Sequence, residues 1–164
     1  NRQMDHKYFA YGSNLIFERI TERLGKVKFL GTASIENWSL RFNKLGADGS
    51  GKCNIIESQG EFVHGILYQI SLRQKEKLDE FEQGYKTICL QLPLIGNCFS
   101  YTAIEIADDR VYAPYDWYRE LVLIGATRCG FPPPYIAMLE KQRITKDPDN
   151  TRRAKNLKIS QIAL

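Results

Sequence analysis

The feature of this sequence that most limits its fold is the stretch from Val27 to Ile70, where one β-pattern follows another with no helical period between them. Val27 to Thr32, Trp38 to Phe42, Cys53 to Glu57 and Glu61 to Ile70 each read as a strand, with Gly, Asn and Gln-Gly punctuation between them. Strands in direct succession lack the crossover helices that parallel neighbours require. An antiparallel or mixed sheet is therefore favoured over a doubly wound one.

Helical segments flank this stretch. Lys7 to Tyr11 reads as a short buried strand broken by Gly12-Ser13-Asn14, after which Leu15, Ile16, Ile20 and Leu24 recur at helical spacing. Glu18, Arg19, Glu22 and Arg23 then face outward, Ser13 or Asn14 is the natural N-cap, and Gly25 the natural stop. Ser71-Leu72-Arg73-Gln74 has the form of a capping box and opens a helix that ends near Glu82-Gln83-Gly84. Tyr85 to Leu92 and Cys98 to Ile106 suggest a hairpin. Tyr115 to Cys129 is a long amphipathic helix, and Pro132-Pro133-Pro134 separates it from a third over Tyr135 to Arg143. The fold class is α+β.

With 164 residues and 43% hydrophobic content, the chain has enough material for one conventional core. Residues 1–144 form the expected domain. Residues 145–164 turn polar and basic, with Lys146, Arg152, Arg153, Lys155 and Lys158, and read as a solvated surface extension. A net charge of +4 is mild, and the basic tail lacks interleaved aromatics, so neither nucleic acid nor membrane is an expected partner. No apolar run reaches the length of a membrane span and the first residues lack the apolar core of a secretory signal, which makes a soluble, cytoplasmic protein the simplest expectation. Cys53, Cys89, Cys98 and Cys129 show no C-x-x-C spacing, and only His6 and His64 could join them, so the expectation is reduced thiols and no metal. Cys89 and Cys98, in apolar strands, read as small buried hydrophobes.

The sharpest local signal is Tyr8-Phe9-Ala10-Tyr11-Gly12-Ser13-Asn14-Leu15. A glycine and two small polar residues between a strand end and a helix start expose backbone N–H groups, which at the positive end of a helix suit a carboxylate, a phosphate or a developing oxyanion. On chemistry alone ordinary capping is the commoner explanation of the same residues.

This segment also resembles the N-terminal signature of the γ-glutamylcyclotransferases, which release 5-oxoproline from γ-glutamyl amines. Asp48-Gly49-Ser50-Gly51-Lys52-Cys53-Asn54-Ile55 with Val63 to Tyr68, Leu78-Asp79-Glu80-Phe81-Glu82, and Tyr118 to Ala126 with Gly130-Phe131-Pro132 resemble further family segments in the same order. The resemblance implies a small mixed β-barrel with flanking helices. It implies Glu82 as the catalytic residue, with Tyr8, Phe9, Ala10, Tyr11, Gly12, Ser13, Asn14, Tyr85, Tyr101 and Tyr118 around a small-molecule γ-glutamyl substrate. It also implies chemistry without a cofactor, and it leaves a homodimer open. The segment Glu82-Gln83-Gly84-Tyr85 is shorter than the family pattern, so Glu80 stands as the competing carboxylate. Glu82 has a physical case of its own, because the negative pole at a helix C-terminus should raise its pKa toward that of a working general base.

Other readings compete. Gly46 to Lys52 has P-loop spacing, but Cys53 replaces the magnesium-binding hydroxyl and a strand follows instead of a helix, so a flexible loop at the rim of a site fits better. Ser13 as a nucleophile lacks G-x-S-x-G, and His64 reads as a packed strand histidine. Within enzymes the runner-up is a cyclotransferase that removes a protecting γ-glutamyl group or acts on γ-glutamyl-lysine. From another class, a binding module on the same fold remains. The stretch from Arg152 to Leu164 should be dispensable for chemistry.

Overall fold

The computed structural model describes residues 6–163. β1 (His6–Ala10) leads through a 3₁₀ turn (Ser13–Leu15) into α1 (Phe17–Leu24); β2 (Lys28–Leu45) and β3 (Gly51–Ile70) follow, then α2 (Leu72–Phe81), β4 (Tyr85–Leu92) and β5 (Gly96–Ala103), and finally α3 (Asp116–Arg128), α4 (Pro133–Glu140) and α5 (Asn150–Ala163). The strands form one mixed sheet in the order β2-β3-β1-β5-β4, antiparallel except where β1 pairs with β5.

The four strands expected between Val27 and Ile70 are two. Register shifts between Phe29 and Gly31, between Glu36 and Trp38, and between Arg41 and Lys44 bend β2 without breaking its ladder with β3. Asn37, left-handed at φ 65°, sits at the middle shift, where its side-chain oxygen accepts the Gly60 N–H at 2.9 Å. Residues that read as turn punctuation are thus bulge residues inside one long curved hairpin.

That curvature nearly closes the sheet. β1 is short, and beyond its end β5 and β3 meet through Asn54, which is fully buried. Its Oδ1 accepts the Ala103 N–H at 2.8 Å and the Thr102 hydroxyl at 3.1 Å, while its Nδ2 donates to Asn43 Oδ1 at 2.9 Å. Asn54 thus bridges the two neighbours of β1, while among the described residues no ladder joins the edge strands β2 and β4.

Tyr8, Phe9 and Ala10 are all buried because β1 is central, with covering layers on both faces. Ile16, Ile20, Leu78, Leu121, Val122 and Leu139, all 0% exposed, carry α1 to α4 onto the sheet. The capping box at Ser71 and Gln74 forms as expected, and Gly25 stops α1 at φ 79°. Cys98 is buried but Cys89 is exposed, since β4 is an edge strand and Cys89 lies on its outward side; the expectation of burial fails there.

The basic segment after residue 144 is no solvated tail. Thr145 bridges to Tyr115, and α5 packs against α3 with Leu157 and Ile159 half-buried on the core and Ser160 buried. Arg153 reaches Asp116 at 2.7 Å; Arg152 holds buried Asp147 through two 2.6 Å bonds, and Trp117 Nε1 donates to the same carboxylate at 2.9 Å. Two of the cations that made this segment look solvated, Arg152 and Arg153, are groups that dock it. Among the described residues no helix is long and apolar enough to cross a membrane.

Candidate active site

A cavity of about 300 Å³ opens where β1 ends and the sheet splits between β3 and β5. Tyr8, Tyr11, Gly12, Ser13 and Asn14 line it from the strand end and turn, Tyr85 and Tyr101 from the second hairpin, Tyr118 from α3, and Glu82 from the end of α2. Phe9 and Ala10, also expected at the substrate, are not there. Both are 0% exposed; Phe9 points to the opposite sheet face from Tyr8 and its ring packs over Gly65. Glu80, the competing carboxylate, is solvent-exposed and does not line the cavity.

The turn differs from the expected helix cap. α1 begins at Phe17 after an extended Ile16, so Gly12-Ser13-Asn14 belongs to a separate 3₁₀ turn, with no side-chain cap and without the α-helix behind it. Its geometry serves the cavity directly. Leu15 and Ile16 donate back to the Gly12 and Ser13 carbonyls, while among the described residues the Ser13 and Asn14 amides have no hydrogen-bond partner. Gly12 lies in close approach to the cavity wall: a Cβ there would lie 3.1 Å from the Cys53 Cβ and 3.5 Å from the Tyr118 hydroxyl, so Cys53 would have to give way. Asn14, 3% exposed, knots the turn: its Nδ2 donates to the Tyr8 hydroxyl at 3.1 Å, its Oδ1 accepts from Arg23 at 3.2 Å, and its carbonyl accepts from Tyr68 at 2.9 Å.

Glu82 is the C-cap residue of α2, and its N–H donates to the Leu78 and Asp79 carbonyls. Gly84 follows at φ 83°, where a Cβ would come within 2.7 Å of Lys44 Cε, so the short Glu82-Gln83-Gly84-Tyr85 segment turns tightly under the Lys44 side chain. Among the described residues the Glu82 carboxylate has neither a hydrogen-bond nor an ion-pair partner. Burial pushes its pKa above the usual carboxylate value; the positive charges of Arg23, Lys44 and Arg19 oppose that shift, and Asp79 adds to it. The rise expected from the helix dipole is present, but desolvation is its main cause.

The tyrosines are mostly scaffold. Tyr11 donates to the Tyr101 carbonyl at 2.7 Å, Tyr85 to the Cys53 carbonyl at 2.6 Å and Tyr101 to Asp79 Oδ1 at 2.6 Å; the Tyr118 hydroxyl accepts the Cys53 N–H at 2.9 Å. These bonds fix ring positions and leave the walls aromatic. Burial pushes all five cavity tyrosines well above the ordinary phenol range, so they stay neutral.

Four cations in the cavity were not anticipated: Arg19, Arg23, Lys44 and Lys52. Arg19 and Arg23 were expected to face solvent, but α1 lies against the cavity wall and an i, i+4 pair shares one helix face. Burial pushes Arg19 down to about 10 and lowers Lys44 and Lys52 as well. Lys52 pairs with Asp48 at 2.9 Å and sits 4.6 Å from the Tyr118 ring centroid. Its loop does lie at the rim, as expected, but it is pinned: Gly46 N–H donates to the Ser50 carbonyl, Ser50 donates to Asp48, and Tyr115 donates to the Asp48 carbonyl at 2.7 Å. It joins β2 to β3, so no helix follows it to receive a phosphate.

His64 packs on Phe131 and Tyr135, as a strand histidine should, and does not line the cavity with Ser13. Among the described residues no three His, Cys, Asp or Glu side chains are grouped to hold a metal ion.

The profile of the family described as gamma-glutamyl cyclotransferase, AIG2-like, matches residues 8–119, from the cavity's first tyrosine to just past its last. The chain is 29% identical to the gamma-glutamylcyclotransferase of Bos taurus over 142 residues, covering 78% of this chain and 73% of the bovine protein. To that of Homo sapiens it is 29% identical over 149 residues, 81% of this chain and 76% of the human one. A solved structure titled gamma-glutamyl cyclotransferase superposes with a TM-score of 0.78 at 25% identity, covering 93% of this chain and 98% of the other. The fold, the split sheet with its aromatic cavity and these matches together place the chain in the gamma-glutamyl cyclotransferase, AIG2-like family.

Proposed function

We propose that the protein releases 5-oxoproline and a free amine or amino acid from γ-glutamyl amides by intramolecular aminolysis. The observation that carries this reading is the unpartnered, desolvated carboxylate of Glu82 facing a small cavity whose other charges are positive. A γ-glutamyl head carries an α-ammonium and an α-carboxylate, and the cavity offers complements to both.

The α-nitrogen attacks the γ-carbonyl of the same molecule. Holding nucleophile and electrophile in a five-membered-ring geometry converts the step into one of positioning, which aromatic walls of fixed orientation supply. Glu82 takes a proton from the α-ammonium, which frees the lone pair. The new C–N bond closes the ring, Glu82 passes that proton to the departing nitrogen as the γ-amide C–N bond breaks, and the second proton shed by the ring nitrogen follows to the same nitrogen, so that a neutral lactam and an ammonium leave. A carboxylate with a raised pKa exchanges that proton more readily than one at the ordinary value. The Ser13 and Asn14 amides serve as donors for the carbonyl oxygen as it gains charge, or for the α-carboxylate, with Arg23 and Lys44 adding positive field. None of these steps is routed through a metal or cofactor. The four free thiols fit the reducing cytoplasm as its compartment.

The test is 5-oxoproline release from a panel of γ-glutamyl amides by the purified protein after exhaustive EDTA dialysis. Turnover of γ-glutamyl amino acids is the expected result. Turnover confined to γ-glutamyl-lysine or to one protected intermediate would narrow the reading to a specialised cyclotransferase. Tight binding of all members with release from none would make the protein a binding module.

A further inference from the structure

A second groove adjoins the cavity, between α1, the end of α2 and the face of α5. Arg19, Arg23 and Phe81 line both, so the two spaces are contiguous, and Phe81, 47% exposed, immediately precedes Glu82. The proposed chemistry directs the substrate toward this side. Glu82 must reach both the α-nitrogen inside the cavity and the departing nitrogen, so the leaving group lies near Glu82 and extends past Phe81.

The groove is positive and its cations are not all spent. Arg152 is committed to Asp147, and Arg23 donates to Asn14 with its guanidinium 5.2 Å from the Phe81 ring centroid. Arg19 is different: among the described residues its buried Nε has no partner, and its guanidinium makes one hydrogen bond, a 3.4 Å contact to Asn156 on α5. Lys155, one residue before Asn156, is exposed on the groove with no partner among the described residues. Against these stand two carboxylates, Asp149, whose Oδ1 accepts the Arg152 N–H at the start of α5, and Glu22. Ile159 supplies an apolar floor.

We propose that α5 carries the recognition surface for the leaving group, with Lys155 and Arg19 binding a carboxylate on it. The substrates are then γ-glutamyl amino acids or peptides in preference to γ-glutamyl amines of neutral or cationic side chain. This rests on the cyclotransferase reading above and adds Lys155, which the catalytic cavity does not contain, to Arg19, which borders both spaces. Lys155 and Glu22 act on specificity and touch no reacting atom.

The experiment compares kcat/KM for L-γ-glutamyl-L-alanine with that for L-γ-glutamyl-ethylamide, which differs by loss of the carboxylate, in the full chain and in Lys155→Glu and Glu22→Gln. The unaltered protein should prefer the dipeptide. Lys155→Glu should lower the preference by roughly three- to tenfold, and Glu22→Gln should raise it by about twofold, as expected for partly exposed charges, with the change in KM and not in kcat. A preference that is unmoved in both variants, or that moves with the opposite sign, overturns the proposal, as does a change carried by kcat for both substrates alike. Both substitutions are at exposed positions, and each reads out the idea independently. If the unaltered protein turns over neither compound, the cyclotransferase reading itself falls and takes this one with it.

Discussion

Replacing Asn54 with alanine removes the side chain that ties β3 to β5 beyond the end of β1, beside the cavity. Three bonds go: those from Ala103 and Thr102 to Oδ1 and that from Nδ2 to Asn43. Thr102 keeps a second acceptor in the Ile55 carbonyl at 3.0 Å, so its hydroxyl is not orphaned. The Ala103 N–H and the Asn43 Oδ1, on residues 7% and 6% exposed, are left without a partner. Each of these two orphaned buried groups costs about 1–3 kcal/mol, so the variant should lose roughly 2–6 kcal/mol. For a chain of this length that lowers the thermal midpoint by about 5–20 °C. Urea and thermal unfolding followed by circular dichroism measure it. Asn43→Ala, which removes only one of the three bonds, should lose about 1–2 kcal/mol. A loss under about 1 kcal/mol for Asn54→Ala, or one smaller than for Asn43→Ala, would refute the view that this residue holds β3 to β5. Turnover should fall with stability, since neighbouring Cys53 anchors both Tyr85 and Tyr118.

Three further outcomes follow from the same geometry. Lys44→Gln removes a charge that lowers the Glu82 pKa; because a base must be unprotonated to act, the acid limb of the kcat/KM profile should move to higher pH, and a downward move would contradict the assignment. Gly12→Ala forces a methyl toward Cys53, and kcat/KM should fall on the order of tenfold or more with the fold retained by circular dichroism. Deleting residues 150–164 uncovers the core under Leu157 and Ile159 and should cost about 2 kcal/mol and several degrees of thermal midpoint, where a dispensable tail would cost nothing.

The parts of the fold with a local cause were legible. The capping box at Ser71, the stop at Gly25 and the turn at Gly12 each depend on neighbours in sequence. The long hairpin was misdivided because a bulge and a strand end use the same residues, and only the partner strand distinguishes them. Glu82 over Glu80 came from resemblance, and its desolvation is a tertiary fact no spacing displays. Arg19 and Arg23 were assigned to solvent because charge on an amphipathic helix usually faces water; here that face borders the cavity and the groove. The docking of α5 was hidden for a related reason, since its apolar stripe is thin and its anchors are ion pairs with distant Asp116 and Asp147.

The central claim is that Glu82 moves the proton in ring closure, and the most direct test is the rate of 5-oxoproline release by Glu82→Gln beside Glu80→Gln. Glutamine keeps the shape and reach of Glu82 and loses only its basicity, so kcat should fall by roughly 10²- to 10⁴-fold with little change in KM, and the acid limb of the pH profile should vanish. Glu80→Gln, on an exposed residue outside the cavity, should remain near the unaltered rate. A folded Glu82→Gln protein with near-native turnover, or a larger loss from Glu80→Gln, would contradict the account.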